Sequence, residues 1–115
     1  MADYSLTYEE NARVLEVTGP LEQSDAGQFR EALERVTSAK TAAPVIIDLS
    51  GLELIGSAAM RLLAQFTKLM AERGATMITV GVSGVVRELI EMCGMDALLK
   101  IEQSTDDALA GLTPA

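Results

Sequence analysis

An α/β domain built on a mixed, largely parallel sheet with an N-terminal hairpin and four helices is the fold this sequence predicts, on three observations. Strand-like and helix-like stretches alternate after an initial pair of strands, in the order β-β-α-β-α-β-α-β-α, a pattern that joins parallel strands through right-handed crossovers. The segment Pro44-Val45-Ile46-Ile47-Asp48-Leu49 is apolar on both parities, which suits a central strand covered on both faces. At 115 residues the chain has room for a single domain, 1–115, whose folding buries about two-thirds of the surface of the unfolded chain.

The elements follow in order. Tyr4 to Glu9 alternates loosely, Asn11 punctuates it, and Val14 to Thr18 is short and β-branched, so two strands joined by a tight turn are expected. Gly19-Pro20 stops the second strand. Ser24 or Asp25 can accept a hydrogen bond from free amides at a helix start, and Ala26, Phe29, Leu33 and Val36 form one apolar stripe of a helix over Asp25 to Ser38. After the central strand, Ser50-Gly51 reads as a turn and Leu52 to Ile55 as a short extended piece. The period then becomes helical, with Ala59, Leu63, Phe66 and Met70 on one face, from Ser57 to Arg73 before Gly74. Met77 to Val82 is the next strand. Ser83 can cap a helix whose Val86, Leu89, Ile90 and Cys93 face inward until Gly94. Leu98 to Glu102 is a last short strand, and Ser104-Thr105-Asp106-Asp107 starts a terminal helix running to Leu112.

Composition excludes several classes of function. Nine Lys+Arg against 17 Asp+Glu give a net charge of −8, which repels nucleic-acid phosphates and anionic headgroups. One cysteine, Cys93, and no histidine remove disulfides, clustered Cys/His metal sites and Ser-His or Cys-His catalytic pairs. No apolar run approaches the ~20 residues a membrane span requires, and the N-terminus lacks the basic and apolar regions of a signal peptide, so a cytoplasmic protein is expected. Within this acidic chain, residues 57–73 carry Arg61, Lys68 and Arg73 against Glu72 alone, making one helix basic.

That helix begins at Ser57. A serine where a strand leads into a helix is a common cap, but its hydroxyl also lies beside unpaired amides and the positive end of the helix dipole. A phosphate there adds about −1.5 to −2 charges at a site able to hold it, and Arg61, one turn on, leans back toward it. As a catalytic nucleophile Ser57 lacks a base: Lys68 lies roughly 16 Å along the same helix. Gly81-Val82-Ser83-Gly84 has no following Gly-Lys-Ser/Thr, so it reads as a strand-to-helix turn and not a nucleotide loop. Glu88 and Glu91 read as solvated acids, Met60, Met70, Met92 and Met95 as core filling or the soft edge of a contact surface, and Cys93 as inert. No cofactor and no metal site is expected. A phosphoacceptor receiver domain would have the same alternation, but its first strand ends in paired acids, whereas Val17-Thr18-Gly19-Pro20 contains none.

Over Ala12 to Glu102 the chain resembles a STAS domain of the bacterial anti-sigma factor antagonist family, with the SpoIIAA-like STAS fold. The resemblance rests on Val17-Thr18-Gly19-Pro20-Leu21-Glu22, on Val45 to Leu52 leading into Ile55-Gly56-Ser57, on Gly74-Ala75 and on Val85 to Gly94. It implies a partner-switching protein that binds a serine-kinase anti-sigma factor, frees a sigma factor, is released when the kinase phosphorylates the acceptor serine, and is reset by a serine phosphatase. Ser57 falls on that acceptor serine. The family motif reads Asp-Ser-Ser/Thr-Gly-Leu, against Gly56-Ser57-Ala58-Ala59-Met60 in this chain. The implied partner surface carries Glu22, Gln23, Ser24, Gly56, Ser57, Ala58, Met60 and Arg61. Because the motif is altered, the alternative is a constitutive accessory or scaffold subunit of a lipid-transport ABC complex or a stress-signalling assembly, not regulated through Ser57. The oligomeric state is left open.

Overall fold

The computed structural model describes residues 2–38 and 43–112; Met1, residues 39–42 and residues 113–115 lie outside the described residues. The first two strands, β1 (Asp3–Glu9) and β2 (Ala12–Leu21), form the expected hairpin, paired antiparallel from Asp3↔Thr18 to Glu9↔Ala12. Glu10 and Asn11 make its turn at φ 47° and 73°, the left-handed pair that matches the twist of the two strands. Helix α1 (Ala26–Thr37) follows a 3-10 turn at Gln23–Asp25. Then come β3 (Val45–Ile55), α2 (Ser57–Glu72), β4 (Met77–Val80), α3 (Gly84–Met92), a 3-10 turn at Met95–Ala97, β5 (Ile101–Glu102) and α4 (Thr105–Leu112). The sheet has the order β1-β2-β3-β4-β5, with all pairs after the hairpin parallel.

Alternation along the strands divides the core in two. Leu15, Val17, Val45, Ile47, Leu49 and Met77 face a layer made by α1, α2 and α3, whose Phe29, Leu33, Leu63 and Ile90 are wholly buried. Ala12, Val14, Ile46, Ile78 and Val80 face the other way, onto Ala108 of α4. Both faces of β3 and β4 are therefore covered, as the unbroken apolar run at 45–49 requires. At the head of α4 the amide of Asp107 donates to Ser104 Oγ at 3.1 Å, the cap expected there.

Five expectations are corrected. Gly19-Pro20 does not stop the second strand: β2 continues through both residues to Leu21, held extended by parallel pairing with β3 at Gly19↔Leu52, Pro20↔Leu54 and Leu21↔Ile55. Ser50-Gly51 is not a turn: β3 runs unbroken through it to Ile55. Pairing with β2 keeps the strand extended, and register shifts at Glu16/Thr18 and Gly19/Pro20 absorb the irregularity. The last strand is only Ile101–Glu102, because Met95–Ala97 winds into a 3-10 turn and Leu98 is exposed. Cys93 is exposed: α3 ends at Met92, and Gly94 at φ 69° turns the chain away before position 93 can join Val86 and Ile90 in the core. Met60 is buried at 3% exposure and is no part of an accessible surface. It lies one helical turn before Leu63, on the face of α2 that packs onto the sheet.

Candidate functional site

The carboxyl ends of the neighbouring strands β2 and β3 assemble the site. Leu21 is in register with Ile55, and one residue further the Gly56 amide donates to the Leu21 carbonyl at 2.7 Å. This bond fastens the first residue beyond β3 to the last residue of β2, so the 22–24 segment is held beside the start of α2. The 22–24 segment is itself fixed from below: the Glu22 amide donates to Asp25 Oδ2 at 2.9 Å, and Asp25 is buried at 7% exposure. Glu22, Gln23 and Ser24 remain exposed. Asp25 thus caps the 3-10 turn and not the α-helix that follows it.

Gly56 is the N-cap of α2, in extended conformation at φ −83°, ψ 164°. A Cβ at this position would stand 3.3 Å from the Leu21 carbonyl oxygen and 3.6 Å from the Gln23 amide nitrogen. Glycine therefore lets the two segments close on one another without displacement. Ser57 is the first residue of the helix and is exposed. The Met60 amide bonds back to the Gly56 carbonyl at 3.1 Å, so the amides of residues 57–59 precede the first intrahelical bond. No side chain caps them. The Ser57 hydroxyl makes no hydrogen bond among the described residues and is presented beside an electropositive helix end.

Arg61, exposed and one turn into α2, lines a groove of about 270 Å³ between the first halves of α1 and α2, together with Arg30, Gly27, Ala58 and Gln65. Neither Arg61 nor Arg30 makes an ion pair among the described residues, where Arg87–Glu91 is the one present. Sequence reading missed Arg30, Gly27 and Gln65. Their signal was the i, i+3 spacing of Gly27 and Arg30 just after Ser24, legible only once α2 is known to lie alongside.

Of the expected site residues, the fold brings together Glu22, Gln23, Ser24, Gly56, Ser57, half-buried Ala58 and Arg61, and it withdraws Met60. Among the described residues no cluster of three or more His, Cys, Asp or Glu side chains could hold a metal, and no helix is long and apolar enough to cross a membrane.

A five-stranded sheet opening with a hairpin, with an exposed serine heading the helix after its central strand, defines a class of small α/β domain. A STAS domain family model matches residues 4–108, and the chain belongs to the STAS domain family. It is similar to the anti-sigma-F factor antagonist RsfA of Mycobacterium tuberculosis, 22% identical over 107 residues that cover 92% of this chain and 84% of that protein. Among solved structures, an anti-sigma factor antagonist from Mycobacterium paratuberculosis has the same fold, with a TM-score of 0.87 at 21% identity over 97% of this chain and 94% of that one. The anti-sigma factor antagonist SpoIIAA in its unphosphorylated form is more distant, with a TM-score of 0.68 at 13% identity, covering 95% of this chain and 96% of that one.

Proposed function

We propose that this protein is a non-enzymatic anti-sigma factor antagonist, and that Ser57 is its switch. In the unmodified state the surface formed by Glu22, Gln23, Ser24, Gly56, Ser57, Ala58 and Arg61 binds a serine-kinase anti-sigma factor and frees a sigma factor. The kinase then transfers the γ-phosphoryl group of ATP to Ser57 Oγ, the hydroxyl proton passing to a base of the kinase and ADP leaving, and the complex dissociates. A serine phosphatase resets the site. The observation that carries the reading is the placement of Ser57: exposed, at the first position of α2, and held beside the 22–24 segment by the Gly56–Leu21 hydrogen bond.

The chemistry of the site supports each part. Free amides and the helix dipole stabilise an added phosphate, and Arg61 leans toward the helix start from one turn away. The same phosphate places about −1.5 to −2 charges in the middle of the contact surface, which is how it reverses binding. The altered motif changes detail more than principle. Gly56 in place of an acid removes like-charge repulsion against phosphate, and Ala58-Ala59 favour helix where the family has a hydroxyl and a glycine. The relatives named anti-sigma factor antagonists, one recorded as unphosphorylated, point the same way.

The test is transfer of labelled phosphate from ATP by a serine-kinase anti-sigma factor from the same cell. One phosphoryl group per wild-type chain and none on Ser57→Ala is the expected result. Equal labelling of the Ala variant would remove Ser57 as acceptor. Unchanged partner affinity for Ser57→Asp would instead favour a constitutive scaffold.

A further inference from the structure

The outer edge of the sheet carries features that the Ser57 surface does not use. Strand β1 lies at the end of the sheet order and, among the described residues, pairs only with β2, so one row of its backbone N–H and C=O groups faces outward. Such edges are normally blunted by lysine, proline or a bulge. Asp3-Tyr4-Ser5-Leu6-Thr7-Tyr8-Glu9 contains neither residue and carries charge only at its two ends, Asp3 and Glu9, and the sheet's register shifts are confined to the β2–β3 pair. The opposite edge, β5, has only two residues.

Side chains at the two ends of β1 are complementary. Tyr4, Leu6 and Tyr8 share the face of the strand that α1 packs against, since they pair with Val17, Leu15 and Arg13. Tyr4 is half-buried and stacks on Phe29, ring centroids 6.3 Å apart, whereas Tyr8 is 69% exposed, with Arg13 against its ring at 5.9 Å. Beside Tyr4 a crevice of about 300 Å³ opens between β1 and the outer face of α1, lined by Ala2, Asp3, Tyr4, Gln28, Glu31, Ala32 and Arg35. No β2 residue lines it, so it flanks the free edge. The Tyr4 hydroxyl is buried with no hydrogen-bond partner among the described residues. One end of the edge therefore presents an exposed aromatic ring, and the other a crevice of a size to take one.

We propose that β1 is a self-association edge: two copies pair β1 antiparallel about a two-fold axis at Leu6, merging their sheets, with Tyr8 of each copy seated in the crevice beside Tyr4 of the other. A two-fold through Leu6 sets Ser5 opposite Thr7 and Tyr4 opposite Tyr8, so one symmetric register fills both crevices and satisfies both edges. The contact is isologous, as closed dimers require. Its occupant is a second copy because complementary features stand at matched distances on either side of one residue of the same strand. On the solvent face the same register opposes Asp3 to Glu9, a like-charge pair that salt screens. A single strand pair is a small interface, so the dimer is weak and strengthens with ionic strength. It leaves Ser57 untouched and does not depend on the reading of that residue.

The test is sedimentation equilibrium of the intact protein from about 10 μM to about 1 mM, at about 0.05 M and about 0.5 M salt. A monomer–dimer equilibrium tightened by salt is expected, with Tyr8→Ser weakening it at least about tenfold. In a Cys93→Ser background, Ser5→Cys combined with Thr7→Cys reads the register, since oxidation in air should give a disulfide-linked dimer. A monomer at every concentration in high salt, unchanged association of Tyr8→Ser, or no cross-link in the paired-cysteine variant would each overturn the proposal.

Discussion

Strands β3 and β4 each hand the chain to a helix at a serine with an arginine four residues on, and the two junctions have different fates. At the first, Ser57 heads α2 directly after Gly56, and Arg61 lines an open groove with Arg30. At the second, Ser83 is the N-cap of α3, and its arginine is already committed: Arg87 donates to the Val82 carbonyl and to Glu91, both at 3.3 Å. The neighbours differ as well. Gly56 is bonded to the end of β2, which places a second exposed segment against Ser57, whereas Gly81 is bonded to Gln103 beyond β5 at 3.2 Å. A serine at a helix start is thus common to both junctions. A second backbone segment and an uncommitted cation beside it belong to one.

Glycine substitution separates the junctions most sharply. Gly81 has φ +76°, and a Cβ there would stand 2.8 Å from the Ser50 amide nitrogen, so Gly81→Ala should cost about 2–3 kcal/mol in urea unfolding. Gly56 has ordinary extended angles and a closest Cβ approach of 3.3 Å. Gly56→Ala should therefore cost less than about 1 kcal/mol. Equal losses would show that the two glycines serve the same purpose.

Next in size is the effect of charge. Ser57→Asp should weaken binding of the proposed anti-sigma factor partner at least about tenfold by calorimetry, or about 1.4 kcal/mol. Ser83→Asp should leave affinity within about twofold. Loss of binding from both variants would move the interface to include α3.

Arginine removal gives smaller changes. Arg87→Ala should lower stability by about 0.3–0.5 kcal/mol, as expected for an exposed i, i+4 pair whose side chains are 44% and 50% exposed. Arg61→Ala should leave the melting temperature unchanged and act only on binding.

The smallest effect reports on the acid beneath the first junction. Burial raises the Tyr4 pKa above its ordinary 10.0, and the Asp25 carboxylate raises it further. The folded state therefore holds this proton more tightly than the unfolded state does. Its stabilising effect is complete below about pH 10 and is lost as pH rises through the raised value. Tyr4→Phe should remove that part of the alkaline decline, which pH-dependent urea unfolding of the two proteins would measure. Parallel declines would show that the phenol does not contribute.

Local pattern made most of the fold legible, and it failed where a distant segment decided the outcome. The stripe Ala59, Leu63, Phe66 and Met70 is buried as its period predicts. Ser50-Gly51 carries a turn-like composition, yet pairing with β2 keeps it extended, and a Cβ on Gly51 would meet Thr18 Cγ2 at 2.7 Å. Met60 admits two readings in the sequence, core filling and a place on the partner surface, and helical phase, which groups it with Leu63, decides for the core. At the site, Ser57 and Arg61 were visible from their place at a helix start. Arg30 and Gln65 were not, because their relevance arises only from the packing of α1 on α2. The buried support from Asp25 was half legible: its capping capacity was clear, and the turn it caps was not.

The central claim is that Ser57, and no other helix-start serine, carries the switch. Its most direct measurement is intact-mass and fragment analysis of the protein recovered from its native cell across growth conditions. A fraction heavier by one phosphoryl group, mapped to Ser57 and varying with condition, is the predicted result. Phosphate mapped to Ser83, or protein that is unmodified in every condition, would contradict it.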